Sequence, residues 1–166
     1  MTGEYTFRPF TEDDLDMVAR WLTSPDVAVW YRDPDYIDEL EDHLADKRIR
    51  QQIVSFKGVP FAYLQDYDVH GWKDHHLSFL SNGARGLDTF IGASDMIGSG
   101  HGTRFIRSTV KKLFEDGAPA LGIDPDPKNI RAIRAYQKVG FKGDREVQTE
   151  WGRFRIMHLN ADAHTL

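Results

Sequence analysis

Glycine stands at alternate positions in Ile97-Gly98-Ser99-Gly100-His101-Gly102-Thr103, directly ahead of an amphipathic stretch. Glycine takes positive φ at little cost, so successive N–H groups can turn into one concave nest. The stretch that follows sets Phe105, Ile106, Val110, Leu113 and Phe114 toward a core, with Arg104, Arg107, Lys111 and Lys112 on or near the opposite side. A helix starting there adds unpaired N–H groups and the positive end of its dipole. Together these suit a phosphate or pyrophosphate. The run is not a P-loop, because no Gly-Lys-Ser/Thr follows. It is not a dinucleotide fingerprint either, because Gly92–Asp95 separates it from the preceding strand and the next acidic pair, Glu115 and Asp116, falls in the last helical turn. Taken alone, it is equally a plain tight turn.

The elements that must position such a loop can be read along the chain. Its 166 residues, 40% of them hydrophobic, suit one domain with one core, residues 1–166. With no cysteine there is neither a disulfide framework nor thiolate chemistry. The net charge, 21 − 26 = −5, argues against nucleic acid and for a cationic ligand. No apolar run is long enough for a bilayer, and Met1–Tyr5 lacks an export signal, so a cytoplasmic protein without membrane contact is expected. Tyr5–Phe10 alternates as a strand. Thr11 is an N-cap for a helix over Leu15–Leu22, followed by helical pieces over Asp26–Tyr31 and from Asp33-Pro34 to Lys47. Gln52–Phe56, Lys57-Gly58 and Val59–Tyr67 form a hairpin. Residues 68–83 are a loop. Arg85–Ile91 and Pro119–Ile123 are strands, Lys128–Val139 is a helix stopped by Gly140, and Phe141–Thr149 with Phe154–Leu159 form a last hairpin. This order makes an α+β layer sandwich, a mixed sheet flanked by helices on both faces, with the two strands around the long helix parallel.

The element order, the glycine loop and the run from Asp124 to Phe141 (DPDPKNIRAIRAYQKVGF) resemble the GCN5-related N-acetyltransferase (GNAT) superfamily. The Asn129…Ala132…Tyr136…Gly140-Phe141 segment matches its second acetyl-CoA motif. With Ala84-Arg85-Gly86-Leu87-Asp88 added, the chain looks like the aminoglycoside 6′-N-acetyltransferases of the Ib type and their unassigned relatives. The resemblance implies acetyl-CoA as co-substrate, lying where Arg85–Ile91 and Pro119–Ile123 splay apart. It implies that N–H groups of Ser99, Gly100, Gly102 and Thr103 hold the pyrophosphate. Main-chain groups near Phe90 and Ile91 would pair with the pantetheine arm, Asn129 would bond the cofactor's amide region, and Tyr136 would sit near the sulfur. One position departs: the superfamily usually has Gln or Arg where this chain has Ile97.

Acetyl transfer to an amine needs a base, a donor for the thioester oxygen, a proton for the thiolate and alignment of both substrates. Tyr136 is the expected acid, a backbone N–H near Ile91 the oxyanion donor, and Asp88 the base through a water and the anchor for the ammonium. Other occupations remain open for each. Asp88 could pair with Arg85, Tyr136 could be core, and Asp124-Pro-Asp126-Pro is also a turn with an N-cap. Asp66 and the 68–76 loop are the expected substrate wall, with Asp124, and with Trp72 stacking on a sugar or an alkyl amine. His75 or His76 is an alternative base. No metal is expected, because the three loop histidines have no His-Glu-x-x-His spacing. The expected activity is direct transfer of acetyl from acetyl-CoA to a cationic small-molecule amine of the aminoglycoside type, by a monomer or homodimer. The alternatives are a hydroxylysine or siderophore-type amine, a protein N-terminus, or a non-catalytic acetyl-CoA-binding module.

Overall fold

The computed structural model describes residues 4–163; Met1–Gly3, part of the N-terminal reading above, lie outside them. Seven strands form one sheet in the order β1-β2-β3-β4-β5-β7-β6. They are β1 (Tyr5–Pro9), β2 (Ile49–Phe56), β3 (Val59–Asp68), β4 (Arg85–Ile91), β5 (Ala120–Ile123), β6 (Lys142–Thr149) and β7 (Gly152–Asn160). The helices are α1 (Leu15–Thr23), α2 (Pro25–Ala28), α3 (Tyr36–His43), α4 (His101–Glu115) and α5 (Ile130–Val139). As expected, β4 and β5 are parallel around α4, while β1/β2, β5/β7 and β6/β7 are antiparallel. Among the described residues no helix is long and apolar enough to cross a membrane. The chain divides into two compact units: one is the chain up to Asp66 with Thr89–His101, the other Tyr67–Asp88 with the chain from Gly102 onward.

In the first unit, Phe10, Val18, Val27, Leu40, Ile53, Tyr63 and Phe90 form a continuous core. Asp14 takes both guanidinium nitrogens of Arg8, at 2.7 and 2.8 Å, and the N–H of Thr11 at 3.0 Å, which holds the first helical turn to β1. The hairpin turn Lys57-Gly58 has φ of 49° and 82°, the paired positive angles of a two-residue β-hairpin turn. Gln51 Nε2 donates to Leu40 O and to Tyr63 Oη, both at 2.9 Å, and Tyr63 in turn donates to Gln65 Oε1, so the polar groups of this core are paired. Helix α3 starts at Tyr36, later than the sequence suggests, because the N–H of Asp35 is taken by the Asp33 side chain in a turn.

The second unit packs Phe105, Ile106, Val110 and Leu113 of α4 and Ile133, Tyr136 and Val139 of α5 into buried positions. Gly140, at φ +123°, ends α5, and the N–H of Phe141 closes on Tyr136 O at 3.0 Å. Helix α4 starts at His101, so Gly102 and Thr103 are first-turn residues rather than loop. The His101 ring explains the early start: its Nδ1 is 2.7 Å from Tyr5 Oη, and Phe56 and Phe61 pack around it at 4.6 and 5.7 Å.

Candidate active site

The site in the second unit is built where the β4/β5 ladder ends. In the β4/β5 ladder Gly86 stands beside Gly122 and Leu87 beside Ile123. Side chains alternate along a strand, so Gly86 and Asp88 share one face of β4. Gly122 and Asp124 share the same face of the neighbouring parallel strand. Leu87 and Ile123 are buried on the other face. The two carboxylates therefore follow directly on the last paired residues of the β4/β5 ladder, Asp88 within β4 and Asp124 just after β5, each one pleat beyond a bare glycine.

Those glycines admit the floor of the site. A Cβ at Gly86 would lie 2.3 Å from Tyr67 Cζ and 2.6 Å from its Oη, so the hydroxyl end of Tyr67 rests on the β4 backbone. A Cβ at Gly122 would meet Leu77 and Leu80 at 3.0 Å. Residues 68–84 come down over this face. His70 N bonds Asp68 Oδ1, Val69 N bonds Ala84 O, and His70 Nε2 sits 2.8 Å from Leu80 O. Trp72 meets Tyr67 edge-on at 5.7 Å, His75 meets it at 5.4 Å, and His75 stacks on His76 at 4.2 Å.

His76 Nε2 lies 2.5 Å from Asp124 Oδ2, with both side chains mostly buried. The pair joins residues far apart in sequence, and no short motif announces it. Asp126 is occupied by the turn: its Oδ1 accepts from Lys128 N and its carbonyl from Asn129 N. The α5 N-cap is Asn129, whose Oδ1 accepts from Ala132 N at 3.3 Å; its Nδ2 has no hydrogen bond among the described residues.

Two phenols converge on the carboxylates. Tyr136 is 7% exposed and Tyr67 5%, and neither hydroxyl has a hydrogen-bond partner among the described residues. Burial raises the Tyr136 phenol well above its ordinary 10, and the charges of Asp88 and then Asp124 raise it further. Tyr67 is raised by burial, then Asp124, then Asp88. Both are neutral proton carriers at physiological pH. The structure thus brings Asp88, Asp124 and Tyr136 together, with Trp72 on the rim and with Tyr67, His75 and His76, of which Tyr67 carries no signal in the sequence beyond being a buried strand residue.

His75 Nδ1 accepts the Leu77 N–H at 3.1 Å, which requires a lone pair on that nitrogen. Burial, and then His76, lower its pKa below 6.5, with Asp124 opposing. Protonation is thus disfavoured in the folded state. The unfolded chain takes up the proton first as pH falls, so this contribution to stability is held above pH 6.5 and lost below it. The His75 ring is expected to titrate by NMR with a midpoint below 6.5; a midpoint at or above that value would contradict the lone-pair assignment.

The other residues singled out by the sequence stand on β3, on β4 and at the start of α4. Asp66, in the first unit, is 1% exposed, and Arg50 Nε and Nη2 hold its two oxygens at 2.9 and 3.3 Å. Phe90 stacks on Tyr63 at 5.4 Å, and Ile91, half-buried, ends β4. The β4/β5 register runs to Leu87, so Asp88 to Ile91 continue past the end of that ladder. Ser99 and Gly100 are exposed, with Gly98 and Gly100 both at φ +84°. Gly102 and Thr103 occupy the first turn of α4, where helix geometry leaves N–H groups without intrahelical partners.

This chain belongs to the GNAT acetyltransferase-domain family, whose model matches residues 11–149. It is an acetyl-CoA-dependent N-acetyltransferase. Within the family it is similar to aminoglycoside N(6′)-acetyltransferase type 1 of Klebsiella pneumoniae, at 32% identity over 160 residues, covering 89% of this chain and 78% of the relative. A kanamycin resistance protein of Rhizobium radiobacter is 39% identical over 71 residues, 42% of this chain and 66% of the relative. The crystal structure of an aminoglycoside 6′-N-acetyltransferase of type Ib, in complex with coenzyme A and kanamycin, superposes with a TM-score of 0.85 at 30% identity, covering 96% of each chain.

Proposed function

We propose that this acetyltransferase modifies a primary amine of an aminoglycoside-type, polycationic sugar, at the position equivalent to the 6′-amine. The observation that carries this reading is the pair of carboxylates, Asp88 and Asp124, where the parallel β4/β5 ladder ends, under an aromatic rim. Two anions suit a ligand with several ammonium groups, and Trp72 offers a flat apolar surface for a sugar ring. The aminoglycoside N(6′)-acetyltransferase and the kanamycin resistance protein among its relatives support the same substrate class.

Asp88 takes the amine's proton through a water and holds the ammonium before attack. Asp124, fixed by His76, holds the ammonium from its second side. Tyr136 keeps its proton until the thiolate leaves and then gives it to sulfur. A bound ammonium between Asp88 and Asp124 offsets the two charges that raise the Tyr136 phenol, so amine binding makes that acid stronger. For the cofactor, the family resemblance assigns the pyrophosphate to N–H groups of Ser99, Gly100, Gly102 and Thr103. It assigns the pantetheine arm to the main chain near Phe90 and Ile91, with an Ile91 N–H as oxyanion donor, and the cofactor amide to Asn129, whose Nδ2 makes no other hydrogen bond. Both oxygens of Asp66 are held by Arg50, so the reading places the substrate charge on Asp88 and Asp124.

The chain has no cysteine, so a thiol reagent reads released CoA without background from the protein. Acetyl-CoA with kanamycin or ribostamycin is expected to release CoA faster than with spermidine, hydroxylysine or a peptide N-terminus. Release with hydroxylysine or a peptide alone would replace the aminoglycoside assignment, and tight CoA binding with no release on any amine would overturn the enzymatic reading.

A further inference from the structure

The amine subsite has one polar atom that the reaction above does not use. Tyr67 Oη lies over Gly86, so close that a Cβ there would fall 2.6 Å from it. Gly86 is one pleat before Asp88 and stands beside Gly122, one pleat before Asp124. The oxygen therefore sits at the head of the row that ends in Asp88, and the charges of both Asp124 and Asp88 reach it. It is not sealed in protein: among the described residues, the fully buried side-chain polar atom lacking a partner is His158 Nδ1. Burial is otherwise nearly complete, and the ring is fixed edge-on by Trp72 and His75.

An ammonium of a primary amine has three N–H donors. Asp88 supplies one acceptor. Asp124 supplies a second through Oδ1, since Oδ2 is taken by His76. We propose that Tyr67 is a specificity-determining residue whose hydroxyl oxygen accepts the third N–H, so that the site selects primary over N-methylated amines. This rests on the acetyl-transfer reading above. Burial, and then the two carboxylates, favour the protonated phenol, so Tyr67 meets the ammonium as a neutral acceptor and the subsite gains no third charge.

The test compares an aminoglycoside carrying a primary 6′-amine with the same compound methylated on that nitrogen, using the full chain. The wild type is expected to prefer the primary amine by roughly ten-fold or more in kcat/KM, the scale of one hydrogen bond to a charged group. Tyr67→Phe keeps the ring over Gly86 and removes only the oxygen. It is expected to lose about that factor on the primary amine, to change less than two-fold on the methylated one, and to leave the KM for acetyl-CoA unchanged. Equal wild-type kcat/KM for the two amines overturns the proposal without any variant. Equal losses on both amines in Tyr67→Phe overturn it by showing a packing role. If the wild type releases no CoA with either compound, the aminoglycoside assignment falls with it; a wild type that turns over while Tyr67→Phe leaves the primary-to-methylated ratio unmoved sinks the Tyr67 assignment alone.

Discussion

Tyr136→Phe is expected to lower kcat by at least about ten-fold, toward the roughly 10²–10⁴-fold range of a positioned proton donor, with little change in stability. The two halves of this result separate chemistry from packing. Phe retains the ring, its 6.3 Å contact with Phe141 and its place among the buried residues of α5. The hydroxyl it removes has no partner among the described residues, so no hydrogen bond within the protein is broken. A purely structural Tyr136 would therefore tolerate Phe, and the melting temperature should stay the same or rise slightly. The thiolate would then have to leave without a proton or take one from water, and kcat should fall while the KM for acetyl-CoA holds. Because the phenol is raised above 10, no alkaline loss of activity below that pH should trace to Tyr136. Unchanged turnover in Tyr136→Phe removes it from the chemistry.

Asp88→Asn should be the other severe loss, about a hundred-fold or more in kcat/KM for the amine, with acetyl-CoA affinity by calorimetry within about two-fold of wild type. Asparagine has nearly the same shape but cannot take a proton or offset the ammonium charge. The change also removes the larger of the two charges that raise Tyr136, so the phenol should titrate lower in the variant, which spectrophotometric titration of the phenols can read. These two effects have one cause and should appear together. A variant that binds cofactor poorly yet transfers acetyl normally would show that Asp88 belongs to the cofactor side.

Much of the frame was readable from local signals. β4 falls on Arg85–Ile91, the hairpin turns at Lys57-Gly58, and Gly140 stops α5, because alternation, positive-φ residues and caps act over a few residues. Asp88 and Tyr136 were singled out because the resemblance marks them. The partners that give them meaning were not. His76 meets Asp124 across 48 positions, and Tyr67 meets Gly86 only because β3 leads into a loop that returns along β4. Asp66 shows the reverse: its residue type suggested a cation subsite, whereas Arg50 on β2 had already taken it. The placement of β7 between β5 and β6 is likewise a long-range choice that hairpin signals cannot express.

The bare pair at 86 and 122 gives any drift in acceptor range a direction. Hydrogen is the smallest substituent there is, so every inherited change at either position can only raise the floor. At 122 the floor can rise gradually, since the tips of two leucines yield by tenths of an ångström. At 86 the step is abrupt, because an aromatic ring must leave. Descendants of this enzyme can therefore narrow their menu from below but must broaden it in residues 70–76, which lie outside every strand and away from the two leucines over Gly122.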